Sequence, residues 1–304
     1  MSNLPDLWVV VTLIAAAFQT VRFMLQKVLA TATLSPAGAT FARFIYAAPF
    51  LAVLLLFYMG QTGASLPALD ARFWGFGLLG GVTQILATIC VVAVFKERNF
   101  SVGITFKKTE VIQTVLVGIV LLGETVSWRG FGAIVLGLVG VLLLSAPKDA
   151  KGFKLRDMKN RAVGLGLLSG VLFGFSGVSY RGASLALAVE DPLLRAGVTL
   201  MAVIAMQIVI MAVWLHLRER GELGRVWRAR RVAVWIGLTS MAGSICWFTA
   251  FTLQNAAYVN ALGQVELIFS VFATTLFFRE KISLREAIGM GVLTVSILLL
   301  ILFV

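Results

Sequence analysis

The chain has 304 residues, 60% of them apolar and only 13% charged, with a mean hydropathy of +0.96. A soluble domain holds roughly 45–50% apolar and about 25% charged residues, and no interior of this size hides the difference, so most of the chain must be solvated by lipid. That excludes a soluble enzyme, a DNA-binding domain, a disulfide-stapled secreted scaffold and an outer-membrane barrel, whose strands would alternate polar and apolar residues. The net charge of +12, from 26 Lys and Arg against 14 Asp and Glu, then bears on which loops face which side rather than on nucleic acid. One histidine, His216, and two cysteines, Cys90 and Cys246, are too few for a zinc site or a disulfide framework.

In chain order, residues 1–6 hold no Lys or Arg, so the first apolar run reads as a retained span rather than a cleavable signal. A ruler of about 20 apolar residues per crossing predicts ten spans: 7–29, 36–59, 73–95, 100–122 and 128–146, then 163–186, 192–217, 232–253, 257–278 and 284–303. The fold class is an all-α polytopic membrane protein. Residues 148–161 carry six cations and residues 218–231 six more. These loops lie two spans apart, hence on one side, together with Lys96 and Arg98. The opposite loops hold little beyond Arg72, Arg129 and Arg195. The basic loops read as solvated anchors on the cytoplasmic side, with both termini outside.

Polar residues inside spans need a partner or a wet cavity. The first span carries Gln19, Arg22, Gln26 and Lys27. Lys27 lies near an end and can snorkel, whereas Gln19, Arg22 and Gln26 form a stripe facing protein or water. A guanidinium fork matches a carboxylate, so Arg22 is a candidate for a substrate carboxylate or for pairing with Glu110, Glu266 or a carbonyl. Arg43, off-centre in the second span, is expected to be a structural pair member. Gln84 is a lone polar residue in the third span. In the fourth, Lys107 and Glu110 are i,i+3 and share a face, while Lys108 points about 100° away and needs other surroundings. Glu110 reads either as a buried ion-pair member or as a cavity group for an ammonium or a proton. Glu266 poses the same choice, weighted to structure because its own span has no cation.

Ser176 and Tyr180 share a face of the sixth span; Ser244, Trp247 and Phe251 share one in the eighth; Asn260 and Gln264, with Tyr258 nearby, mark the ninth. Aromatic residues at such spacing pack, but beside Ser, Asn and Gln they also suit an apolar cavity with a few polar fixers. The pocket is thus expected near the midplane, between spans 1, 3, 4 and 6, 8, 9, with spans 5 and 10 as scaffold or dimer-facing elements. Gly132, Gly137 and Gly140, and Gly164, Gly166, Gly170, Gly174 and Gly177, make small faces for close helix contact. Cys90 and Cys246 are expected to pack, and Glu124 and Glu280 to sit at the membrane interface.

Shifting the chain by 156 residues superposes Ser35-Pro36 on Asp191-Pro192, each an N-cap followed by proline, Cys90 on Cys246 and Asn99 on Asn255. A pattern E-x13-E-x2-S-x-R occurs twice at that shift, from Glu110 through Glu124 and Ser127 to Arg129 and from Glu266 through Glu280 and Ser283 to Arg285. Residues 1–147 and 163–304 therefore read as two copies joined by a basic connector, 148–162. Five spans per copy is an odd number, so equivalent spans cross in opposite directions. That makes an inverted repeat, the architecture of alternating access.

The two pattern copies resemble the EamA repeat of the drug/metabolite transporter superfamily, over nearly the whole chain, and the sequence is most similar to the aromatic amino-acid exporter branch. The resemblance implies a ten-helix carrier of the bacterial inner membrane. It would export amino acids, aromatic or hydrophobic ones foremost, and related small metabolites. Family repeats often place a proline shortly after the mid-helix acid; neither copy does here, so no proline kink is expected. The candidate substrate residues are Gln19, Arg22, Gln84, Lys107, Glu110, Ser176, Tyr180, Ser244, Trp247, Asn260, Gln264 and Glu266. The expected partners are the substrate and membrane lipids, in a monomer or homodimer, without nucleic acid, cofactor or metal. No Walker pattern, nucleophile–base set or metal cluster marks a pump or an enzyme. The two lysines keep open a carrier for organic anions or sugar phosphates, and the sequence also leaves room for a lipid-active membrane enzyme or a channel.

Overall fold

A computed structural model describes residues 4–32, 34–94, 97, 100–145, 161–278 and 282–303. The expectations for Lys96, Arg98, Asn99, Glu280 and residues 148–160 of the basic connector fall outside the described residues, and so do the side chains of Gln26 and Lys27. Every described element is a helix: α1 (Leu4–Ala32), α2 (Pro36–Thr62), α3 (Ala71–Val94), α4 (Phe100–Lys107), α5 (Glu110–Leu122), α6 (Trp128–Ser145), α7 (Arg161–Ala186), α8 (Pro192–Arg218), α9 (Glu222–Arg228), α10 (Arg230–Leu253), α11 (Ala256–Gly263), α12 (Glu266–Phe278) and α13 (Leu284–Phe303). Among the described residues seven of these, α2, α3, α6, α7, α8, α10 and α13, are long and apolar enough to cross a membrane.

Local chemistry sets the helix ends. Ser35 accepts from the Gly38 amide at 2.9 Å and Asp191 from the Leu193 amide at 2.9 Å, each ahead of a proline at the first helical position, which lacks the N–H that would go unused there. Ser283 and Glu286 form a capping box: the hydroxyl accepts from the Glu286 amide at 3.2 Å and the carboxylate from the Ser283 amide at 2.7 Å. Gly63 and Gly123 close α2 and α5 in the left-handed region, φ 66° and 68°, where a Cβ would be strained.

The fourth and ninth spans depart from the sequence reading. Residues 100–122 and 257–278 are not single helices; each is interrupted just before its glutamate. At the first interruption Thr109 N–H reaches Phe106 O at 3.2 Å, and Ile112 N–H reaches Thr109 O at 3.1 Å. At the second Gln264 N–H reaches Ala261 O at 3.2 Å, and Leu267 N–H reaches Gln264 O at 3.0 Å. These i→i+3 bonds tighten one turn. The Thr109 hydroxyl, donating to Phe106 O at 2.8 Å, competes with the helical ladder there. No proline is involved.

The same interruption recurs at the repeat distance. The starts of α2 and α8, of α4 and α11, and of α5 and α12 each stand 156 residues apart. α1 packs on α10, α7 on α3, α2 on α8 and α6 on α13. Small residues set the closest approaches. Gly140 meets the backbone of α13 at Gly289 and Leu293, and Ser296 donates to Ala133 O at 2.7 Å, so α6 and α13 join at their backbones. The glycine face of α7 grips the first interruption, Gly166 on the Gly103 carbonyl, Gly170 on Lys107 and Gln113, and Gly174 on Thr114.

The outside is apolar, with Val53, Leu56, Val120, Leu217 and Leu302 exposed, as acyl chains allow. Exposed tryptophans, Trp74 and Trp128 at helix starts and Trp214 and Trp227 at the basic end, mark both rims. One expectation needs correction. The 218–231 loop is more than a solvated anchor: it folds α9, whose Glu222 is fully buried and accepts from the Ser35 amide at 2.6 Å. Gly38 leaves the space for that carboxylate.

Candidate functional site

One polar cavity of about 70 Å³ lies among the helices. Its wall takes Gln19 and Arg22 from α1, Arg43 from α2, Gln84 from α3, Lys107 from α4 and Glu110 from α5. α7 adds Phe173, Ser176, Gly177 and Tyr180; α10 adds Ser244, Trp247, Phe248 and Phe251; α11 adds Asn260. Ten of the twelve sequence candidates therefore meet on one wall. The other two, Gln264 and Glu266, stand behind it. α6 and α13 contribute nothing to the lining.

The lysines and glutamates at and behind the wall are paired at the tightened turns. The Lys107 ammonium lies 3.0 Å from both oxygens of Glu110 and 5.0 Å over the Phe173 ring. Lys108 pairs with Glu266, which answers the need for separate surroundings and supplies the cation that the ninth span lacks. Glu266 also accepts from Gln19 at 2.5 Å, and Glu110 accepts from Gln264 at 3.3 Å. Lys108 and Gln264 stand 156 residues apart, as do the two glutamates, so each tightened turn sends its polar residue to the other copy's acid. Two buried charges cost least when paired and hydrogen-bonded, and interrupting the helix at this point lets one side chain leave its own helix face and cross.

The rest of the wall is a hydrogen-bonded lattice. Tyr180 donates to Gln84 at 2.9 Å, and Gln207, which the sequence reading missed, donates to the same oxygen at 2.9 Å and to Gly81 O at 3.0 Å. Asn260 donates to Thr114 at 3.0 Å, and Arg22 reaches Gln19 at 3.4 Å. Trp247 stacks on Phe251, with ring centroids 5.6 Å apart, and rests on Gly263. Its buried indole nitrogen has no acceptor among the described residues.

Arg43 corrects its expectation as a structural pair member. It is 5% exposed and lines the cavity. Among the described residues it donates to hydroxyls: Ser240 at 2.8 Å, Ser244 at 3.4 Å and Thr88 at 3.5 Å. Its off-centre place in span 2 hid this, because the partners come from α3 and α10. Arg181, also missed, holds Glu124 through Nε at 2.7 and 3.0 Å. It donates as well to the carbonyls of Phe251 at 2.8 Å and Gln254 at 2.9 Å, at the end of α10. The described residues bring no three His, Cys, Asp or Glu together as a metal site.

Apolar helices of membrane-crossing length around a buried polar cavity define a multi-pass membrane protein. The chain belongs to the EamA-like transporter family, whose model matches residues 6–146 and again 160–302. Members of that family are membrane transporters. No curated protein matches the chain. Among solved structures 29 chains match; one, described only as "Crystal structure of protein", has a TM-score of 0.70 at 15% identity over 100% of this chain and 99% of its own. At that identity the likeness shows the fold.

Proposed function

We propose that the protein is a ten-span secondary carrier built from two inverted five-helix copies. It would move small amphipathic carboxylates, aromatic amino acids and related metabolites, out across a bacterial inner membrane by alternating access. Three further crossings, α1 and the interrupted pairs α4–α5 and α11–α12, add to the seven long apolar helices. The packing is reciprocal, α1 with α10 and α7 with α3, as a pseudo-two-fold axis between the copies requires. The six cations of 218–231 favour a cytoplasmic position for that loop and an outside position for both termini.

The observation that carries the reading is the crossed pairing at the cavity wall, Lys108 to Glu266 and Gln264 to Glu110. Those bonds join residues of the two interrupted spans, which is the arrangement a carrier with its substrate between two repeats would need. The cavity is far smaller than the roughly 300–1,000 Å³ of ordinary ligand pockets, so loading requires the copies to part. Counter-flow in proteoliposomes with labelled phenylalanine, threonine and a sugar phosphate tests it. Exchange of the aromatic substrate, lost in a folded Trp247→Ala protein, is the expected result. Exchange of the sugar phosphate alone would reassign the substrate, and covalent conversion of a lipid would replace the carrier reading with an enzyme.

A further inference from the structure

We infer that the cavity favours a net anion, an aromatic or apolar carboxylate without a free ammonium, over the zwitterionic amino acid of the same body, and that Arg43 is the residue that seats the carboxylate and sets this preference. The inference rests on the carrier reading above and narrows its substrate class.

Arg43 is hydrogen-bonded to neutral groups and shares the cavity wall with a second buried guanidinium, Arg22. A guanidinium has five N–H donors; here three hydroxyls take one each, two of them at 3.4 and 3.5 Å. Hydroxyls orient the fork and leave its charge standing. Among the described residues no carboxylate pairs with Arg43. A buried cation without a counter-charge is costly at membrane depth, and an anion arriving in the cavity removes that cost. The fork geometry suits a carboxylate, which accepts two parallel N–H bonds. Trp247, one turn beyond Ser244 on α10, adds an unanswered N–H at the same wall. Phe173, Phe248 and Phe251 offer the apolar body its contact.

The ammonium of an amino acid finds no comparable seat. Glu110, the carboxylate in the wall, holds Lys107 at 3.0 Å on both oxygens, and Glu266 behind it holds Lys108. A zwitterion would have to displace an internal lysine to place its cation. The position 156 residues after Arg43 is Thr199, so this cation is not duplicated in the second half of the chain.

Three ligands with one body separate the possibilities: 3-phenylpropanoate, phenylalanine and 2-phenylethylamine, with charges −1, 0 and +1. Binding to the purified full-length protein, read by thermal shift and titration, should rank them in that order, with the anion about tenfold or more tighter than the zwitterion. Arg43→Gln should abolish the ranking, and Arg43→Lys should keep the anion first with weaker binding. Phenylalanine binding as well as or better than 3-phenylpropanoate, an unchanged ranking in Arg43→Gln, or no binding by any of the three would overturn the inference. Counter-flow of phenylalanine without the anion would do the same while leaving the carrier reading intact. Binding of the anion without any flux would instead count against the carrier reading and leave the seat standing.

Discussion

At the scale of single residues, the two lysine–glutamate pairs are both buried but differ in what surrounds them, and therefore in cost. Lys107 lines the cavity and lies over the Phe173 ring, so loss of its acid leaves it a π-face and an open cavity. Lys108 is 3% exposed and outside the cavity wall. Removing one member of a buried pair strands the other, at about 3–5 kcal/mol. Glu266→Gln should therefore lower thermal stability in detergent more than Glu110→Gln does. Lys108→Met combined with Glu266→Leu should recover most of the loss. A Glu266→Gln protein that melts with the wild type would show that the pair contributes nothing to the fold.

Elements are held by backbone approach where side chains have been removed. A Cβ on Gly166 would run into the Gly103 carbonyl of α4, and both sides of that contact are main chain. Gly164, two residues earlier on α7, has nothing within 4 Å. Gly166→Ala should lower stability by about 1–3 kcal/mol, the usual cost of overpacking, whereas Gly164→Ala should leave it unchanged or slightly raise it through helix propensity. Melting curves of the two variants side by side provide the check; equal curves would mean that α7 does not clamp α4. The glycine run was plain in the sequence as a small face. Its target, the tightened turn between α4 and α5, was not, because residues 100–122 read as one continuous helical span with Lys107, Lys108 and Glu110 on it, and no proline or glycine at 107–110 announces the change to i→i+3 bonding.

For the whole molecule the open quantity is orientation. Helix packing is indifferent to which face of the membrane is which, whereas the charge of the loops is not. A periplasm-active reporter joined after Val304 should be active and a cytoplasm-active one silent; the opposite result would invert the sidedness and leave the helix packing untouched. The clasp of Arg181, Glu124 and the end of α10 lies at the rim away from the basic loops, where α5, α7 and α10 all end.

The sequence by itself determined that the chain is helical and lives in lipid, because hydropathy over about 20 residues is a local property that the bilayer reads directly. It also determined the repeat, since a duplicated pattern survives in spacing, and most of the polar residues of the cavity, since each buried polar group inside an apolar span stands out from its neighbours. Only the tertiary structure decided how those groups are partnered. Lys108 finds Glu266, Arg43 finds three hydroxyls and, among the described residues, no acid, and Arg181 finds Glu124 and the end of another helix. Each of these bonds joins residues tens to more than a hundred positions apart. Their formation depends on which helices lie side by side and where a helix tightens by one turn, and neither is encoded in the composition of any single span.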